Sequence, residues 1–256
     1  FFTEPHKVEI VSRKTDEAAF TAYSVGGKTI CSLISAGSEL NGSYENSQNW
    51  TYPLAVGYSA VFEAERIGSE VTGIKKGDLI FCCGYHASYQ VHDYRNVIKL
   101  PDGVLPQDAL FIRLAGVSMA TLSRTKICAA DTVLVAGLGM VGILAMEAFD
   151  NCGYNVIGIE SDRERAELVR NITGYTVFEE IPLENNSFKI GLALECSGTQ
   201  QATLSCCKIL RPGGEISLIG VPWKKTSDIH SYDILNSIFY KYLNVYSGWE
   251  DRKSTR

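Results

Sequence analysis

The sequence has no C-x-x-C unit, no run of apolar residues long enough to cross a bilayer, and no excess of basic charge. The first absence removes the commonest framework for a structural zinc site. The second leaves no membrane span, because the longest uncharged stretch near the middle, Thr132 to Met146, falls short of the roughly 20 residues a span needs. The third, with 24 Lys and Arg against 29 Asp and Glu and a net charge of −5, gives no general pull on a phosphate backbone. Nucleic acid is therefore not an expected partner. No basic segment followed by an apolar one opens the chain, so no secretory signal is read. The eight cysteines include two adjacent pairs, Cys82-Cys83 and Cys206-Cys207, and form no spaced framework. Buried free thiols in a reducing, cytoplasmic setting are expected.

What is present is an ordinary globular composition, 45% hydrophobic and 21% charged over 256 residues, enough for one large or two modest domains. Residues 1–118 read as β-rich. Strands are expected at Val8–Val11, Thr29–Ser35, Ser59–Arg66, Leu79–Cys83 and Ser88–His92. Turns are expected at Val25-Gly26-Gly27-Lys28 and Gly77-Asp78, and a loop over Asn41–Tyr52. From 119 to 248 the texture becomes an alternation. Strands are expected at Thr132–Ala136, Asn155–Ile159, Leu192–Cys196 and Glu215–Gly220, and helices at Met140–Asn151, Arg163–Asn171 and Thr199–Leu210. Strands alternating with helices predict a doubly wound parallel sheet, an α/β fold.

The first strand–helix junction of that second half carries a G-x-G-x-x-G pattern, Gly137, Gly139 and Gly142. It follows a predicted strand, opens a predicted helix, and Glu160 ends the next strand 23 residues after Gly137, as in a dinucleotide fingerprint. Gly137 permits the tight turn, Gly139 lets the backbone approach a pyrophosphate, and Gly142 lets helix and strand pack closely. The amides of Met140, Val141 and Gly142 at the helix start then hold the phosphates. Glu160 is placed to accept hydrogen bonds from the adenosine ribose. Its charge, with Asp162 nearby, disfavours a 2′-phosphate and so favours NAD over NADP, although Arg163 and Arg165 offer a phosphate partner. The bland alternative is a glycine-rich turn with no ligand.

With these residues the chain resembles the medium-chain dehydrogenase/reductase superfamily, the alcohol and polyol dehydrogenases. Pro53-Leu54-Ala55-Val56-Gly57-Tyr58-Ser59 is similar to that family's P-x-x-x-G-H-E. Glu63 through Asp78 matches its G-x-V…G-D stretch at Gly68, Val71, Gly77 and Asp78. Leu210-Arg211-Pro212-Gly213-Gly214 and Gly220-Val221-Pro222 match late segments of its nucleotide domain. The resemblance implies a GroES-like catalytic domain over 1–118, a Rossmann domain over 119–248, and a C-terminal remnant, 249–256, in which the family's return to the first domain is missing. It implies a homo-oligomer acting on a small molecule. It further places Arg165 at the ribose, Ser197 and Gly198 under the cofactor, and Ile219, Gly220 and Val221 against the nicotinamide.

The departures concern zinc. Where zinc members have cysteine, histidine and a later cysteine or glutamate, this chain has Ala36, Tyr58 and Ala115, and the four-cysteine structural lobe is absent. No metal is expected, because alanine has no lone pair to offer and neutral Tyr is a poor substitute for thiolate or imidazole. The turn Ser35-Ala36-Gly37-Ser38-Glu39 resembles a zinc-free branch that includes relatives of a bacteriochlorophyllide hydroxyethyl dehydrogenase. Within it Ser38 falls where the family has a proton-relay hydroxyl, or is a turn serine capping an amide. Tyr58 either donates to an oxyanion or packs in the core. Glu39 stands at a supporting carboxylate position and is either functional or structural, for example held by Arg113. His86 reads as a base or as a structural histidine. The expected reaction is zinc-independent hydride transfer between NAD(H) and an alcohol–carbonyl pair. The rivals are reduction of an enone or quinone, and a nucleotide-binding relative without chemistry.

Overall fold

The computed structural model describes residues 1–12, 20–46, 49–181 and 189–248, so the C-terminal remnant expected at 249–256 lies outside the described residues. The chain forms two compact units, Phe1–Arg113 and Leu114–Arg256.

The first unit opens with a short antiparallel pair, β1 (Phe2–Glu4) and β2 (Lys7–Val8). Its main sheet contains β3 (Ser24–Ser32), β4 (Ala60–Ile67), β5 (Leu79–Cys82), β6 (Tyr89–Asp93) and β7 (Val97–Lys99). The order is β6-β3-β4-β5-β7, with every neighbour antiparallel. Side chains alternate across a strand, and here both faces are covered. Ala60, Phe62 and Ala64 join Val25 and Ile80 in one core, while Val61 and Phe81 pack with Leu100, Ala109 and Leu110 in another. Ala109 belongs to α1 (Pro106–Ala109), and α2 (Ile112–Leu122) follows.

Three expectations fail here. Val25–Lys28 is strand, not turn: the chain needs Gly27 because β4 passes so close that a Cβ would lie 1.7 Å from the Glu63 carbonyl oxygen. The expected loop at Asn41–Tyr52 begins as a π-helix, Gly37–Tyr44, with the Glu45 amide reaching back to the Leu40 carbonyl at 2.8 Å. Its polar composition hides the periodicity. The strand expected at Val8–Val11 stops at Val8.

The second unit is a six-stranded, all-parallel sheet of β8 (Thr132–Ala136), β9 (Asn155–Ile159), β10 (Thr176–Phe178), β11 (Ile190–Glu195), β12 (Glu215–Leu218) and β13 (Asn244–Ser247). Its helices are α3 (Met140–Asn151), α4 (Arg163–Thr173), α5 (Gln200–Ile209) and α6 (Ser231–Lys241). The order β10-β9-β8-β11-β12-β13 is that of a dinucleotide-binding doubly wound sheet. Every residue of β8 is buried, because alternate side chains feed two cores. Val133 and Val135 pack with Phe149 and Val169 of α3 and α4, and Leu134 and Ala136 pack with Cys206 and Cys207 of α5. Each large apolar side chain buried in this way contributes about 1.5–3 kcal/mol. The GroES-like plus Rossmann reading holds.

All eight cysteines are free. Their expected burial holds for Cys82, Cys206 and Cys207, whereas Cys83, Cys128 and Cys152 are exposed, being in a loop or just past the end of a strand or helix. Among the described residues no helix is long and apolar enough to cross a membrane.

Candidate functional site

In the second unit, β8 is where the sheet's order reverses. The next strand in sequence, β9, pairs on one side and β11 pairs on the other. A crevice for a ligand forms at such a switch point, outside the C-terminal strand ends. Three predicted segments meet there. Gly137, after β8, has φ of +91° and donates its amide to the Ile159 carbonyl at 2.9 Å. A Cβ on Gly137 would lie 2.8 Å from the Ser197 nitrogen, and one on Gly142 would lie 2.0 Å from the Gly137 oxygen. A Cβ on Gly198, where φ is +71°, would lie 2.4 Å from the Val221 oxygen, and one on Gly220 would lie 2.1 Å from the Gly198 nitrogen. These four glycines exist because backbone packs on backbone.

Gly139 differs. It caps α3 with φ of −71°, a conformation open to any residue, and a Cβ there would meet nothing within 4 Å. The helix start beside Gly139 is therefore open at that position, and no side chain caps the helix. A glycine that the protein itself does not need, at the positive end of a helix dipole, fits a phosphate-bearing ligand.

Glu160 is buried and already engaged. Its Oε2 accepts from the Leu138 amide at 2.9 Å and from Arg165 Nη1 at 3.3 Å, and its Oε1 accepts from the Asp162 amide at 2.9 Å. A carboxylate has about four lone-pair sites, so roughly one is left for a ribose hydroxyl. Asp162 caps α4 by accepting from the Arg165 amide at 3.0 Å.

A residue that sequence reasoning passed over is Glu195, at the end of β11. Its carboxylate accepts from the Ser197 amide at 2.8 Å and the Gly198 amide at 3.1 Å, and from Ser197 Oγ. Its carbonyl accepts from the Ile219 and Gly220 amides at 2.8 and 2.7 Å. Burial pushes the Glu195 carboxyl up from its ordinary pKa, against the hydrogen bonds from Ser197 and Gly198 that pull it down. The signal was a lone acid ending a buried strand just before Ser-Gly.

In the first unit, Ser38 lies in the π-helix, partly exposed, one residue before buried Glu39. Glu39 Oε1 accepts from the Ser35 amide at 2.8 Å, and its Oε2 lies 3.0 Å from His86 Nε2. Its partners are thus a backbone amide and a histidine. The Arg113 guanidinium lies 5.5 Å from the centroid of the Tyr58 ring. Tyr58 is half-buried rather than packed in the core. Ser59, fully buried, donates to the Leu110 carbonyl at 2.6 Å, a structural role. His86 Nδ1 meets Ser32 Oγ at 2.8 Å. Neither the Ser32–His86 nor the His86–Glu39 contact was read from the sequence, and Ser32 was not singled out at all.

Among the described residues no three His, Cys, Asp or Glu side chains gather as a metal site. The donor chemistry of Ala36, Tyr58 and Ala115 does not fit zinc at the positions the resemblance implies.

Residues 140–252 match the family model described as zinc-binding dehydrogenase, a stretch that includes none of positions 36, 58 and 115. The chain is 27% identical over 212 residues to L-threonine 3-dehydrogenase of Photorhabdus laumondii, covering 66% of this chain and 61% of that protein. It is 25% identical over 252 residues to sorbitol dehydrogenase of Bacillus subtilis, covering 81% and 69%. It spans from about half to about two thirds of the length of the curated relatives it matches. Galactitol-1-phosphate dehydrogenase from Escherichia coli shares its fold, with a TM-score of 0.81 over 97% of this chain and 82% of that one at 21% identity.

Proposed function

The chain belongs to the medium-chain dehydrogenase/reductase superfamily, and on that premise we propose that it interconverts a small alcohol and its carbonyl with NAD(H) and without zinc. The observation that carries this is the open position at Gly139 beside uncapped helix amides, with Glu160 anchored beside the same turn. In this reading Met140, Val141 and Gly142 bind the pyrophosphate, while Glu160 and Arg165 meet the adenosine ribose. Ser197, Gly198, Ile219, Gly220 and Val221 line the nicotinamide end. Glu160 disfavours a 2′-phosphate, so NAD is the preferred form. When bound, the nicotinamide supplies a hydride acceptor for the carbon that bears the hydroxyl. Glu195 holds the Ser197–Gly198 turn in shape before any ligand arrives, so little reorganisation is needed on binding.

The first unit supplies the polar chemistry. Ser38 and Tyr58 are the proposed hydrogen-bond donors to the substrate oxygen, in place of a metal. A donor aimed at a developing oxyanion is worth about 3–4 kcal/mol. Neither carries the charge of zinc, which favours an easily reduced carbonyl. That same point supports a second reading, reduction of an enone or quinone.

The experiment is calorimetry with NAD+ and NADP+, then turnover with NAD+ and a panel of secondary alcohols and polyols, and with NADH and a panel of ketones, enones and quinones. The expected result is tighter NAD+ binding and a carbonyl product from an alcohol. Turnover of enones or quinones alone favours the second reading. Tight NAD+ binding without turnover on any probe leaves a nucleotide-binding protein without chemistry.

A further inference from the structure

Resting on the dinucleotide reading of the second unit, we infer that Glu195 is a positioning residue for the nicotinamide end of the cofactor: its carboxylate fixes the Ser197–Gly198 turn and occupies that turn's amides. Glu195 is the last residue of β11, the strand between β8 and β12, and it pairs with Ala136 on one side and Leu218 on the other. Its carbonyl accepts from the Ile219 and Gly220 amides, and the Cys196 amide that follows donates to the Ala136 carbonyl at 2.7 Å. The main chain here ties three strand ends together, and the side chain is left to act on the turn that comes next.

That turn is held between two others. A Cβ on Gly137 would lie 2.8 Å from the Ser197 nitrogen and 2.9 Å from the Ser197 Cβ. A Cβ on Gly220 would lie 2.1 Å from the Gly198 nitrogen and 2.7 Å from the Cys196 carbonyl carbon. Because the turns pack backbone on backbone, a shift in the middle one displaces its neighbours. The carboxylate that sets it is almost wholly buried. Its Oε1 accepts from the Ser197 amide at 2.8 Å, from the Gly198 amide at 3.1 Å and from Ser197 Oγ, and its Oε2 accepts from the Gly198 amide at 3.1 Å. All of these donors are neutral. Burying a carboxylate against neutral donors costs far more than burying the aliphatic residues that fill the rest of β11, and burial pushes the Glu195 carboxyl up accordingly. Packing alone does not call for a charge at this position.

The occupied amides divide the crevice chemically. At the start of α3 the amides of Met140, Val141 and Gly142 have no side-chain cap. One strand over, the Ser197 and Gly198 amides are spent on a carboxylate that the protein itself carries. An anion is attracted to the first set, and finds the second filled and backed by negative charge. The pyrophosphate therefore has one turn to bind, and the turn after β11 is left for a group that is neutral or positive. The nicotinamide of NAD+ is such a group. Glu195→Gln keeps the length of the side chain, but it removes the charge and sets an NH2 donor against an amide donor. The turn is then formed in only a fraction of molecules, and affinity at that end falls by the same fraction.

The test compares the two ends of the ligand on the full chain. Calorimetry is run with NAD+ and with ADP-ribose, which carries the same adenosine, pyrophosphate and second ribose without the nicotinamide. Wild type is expected to bind NAD+ about 10-fold or more tightly than ADP-ribose, and E195Q to lose that difference while keeping the ADP-ribose Kd. Amide hydrogen exchange on the ligand-free proteins is a readout independent of binding. The Ser197 and Gly198 amides should be protected in wild type and exchange about 10–100-fold faster in E195Q. Equal weakening of both ligands in E195Q, which a merely structural role would produce, overturns the inference, and so does an unchanged Kd for both. Should E195Q fail to fold, wild type alone decides: equal affinity for NAD+ and ADP-ribose, or unprotected Ser197 and Gly198 amides, overturns it. Wild type that binds neither ligand overturns the dinucleotide reading itself.

Discussion

The two units build their sites by different means. In the second unit the candidate site is made of backbone: amides at the start of α3, and glycines whose missing side chains let β8, β11 and β12 end against one another. In the first unit it is made of side-chain pairs between segments, Ser32 with His86 and His86 with Glu39. A backbone site needs particular residues at short spacing and keeps its pattern as long as it keeps its ligand. A side-chain site keeps its fold when its chemistry is exchanged. Ala36 and Tyr58 occupy a turn and a strand approach that fold without cysteine and histidine.

The largest expected effect on binding tests the backbone half of that contrast. Gly142→Ala puts a Cβ 2.0 Å from a backbone oxygen that cannot swing away. It should destabilise the unit by about 1–3 kcal/mol and weaken NAD+ binding about 100-fold or more, by displacing the α3 amides. Gly139→Ala is its control. Its Cβ meets only open space, so the melting temperature should hold while NAD+ affinity drops. Equal loss of stability in the two variants would break the distinction, as would unchanged affinity in Gly139→Ala by calorimetry.

Among the long-range side-chain pairs of the second unit, Asp131 with Arg211 sharpens the comparison. Asp131, fully buried, accepts from Arg211 Nη2 at 2.6 Å and Nε at 3.2 Å, and the Arg211 guanidinium holds its carboxyl below the usual aspartate range. Asp131→Asn should cost about 3 kcal/mol in denaturant unfolding, since it strips one partner from a buried pair. A lowered carboxyl pKa means that the pair's stability is fully present above the ordinary value of about 4 and is lost as the pH falls through the lower folded value. In the variant that acid-side loss should shrink. NAD+ affinity of the folded protein should not change. The smallest effect belongs to Glu160→Ala, which should narrow the preference for NAD over NADP by about 1–3 kcal/mol, read by calorimetry with both dinucleotides.

These differences also explain what was legible in the sequence. Met140–Asn151 and Asn155–Ile159 were readable to the residue, because their apolar spacing and the glycine turn are local. The glycine turn of Gly137, Gly139 and Gly142 was readable for the same reason, its strand–turn–helix setting being local. The strand through Val25–Lys28 was not, because Gly27 answers to Glu63 across the sheet rather than to its neighbours in sequence. Helix α6 and strand β13 carried no local mark strong enough to single them out. In the first unit, Ser38, Tyr58 and Glu39 were singled out by position alone. The contacts of His86 were not legible, because its partners lie 54 and 47 residues away and nothing local joins them.

The central proposal is that this chain transfers hydride between NAD(H) and an alcohol–carbonyl pair without zinc. Its most direct test is turnover before and after exhaustive chelation, with elemental analysis of both samples and the best alcohol of the panel as substrate. The account predicts substoichiometric zinc in the purified protein and the same kcat with NAD+ after chelation. One zinc per chain, with activity lost on chelation and restored by adding zinc back, would contradict it.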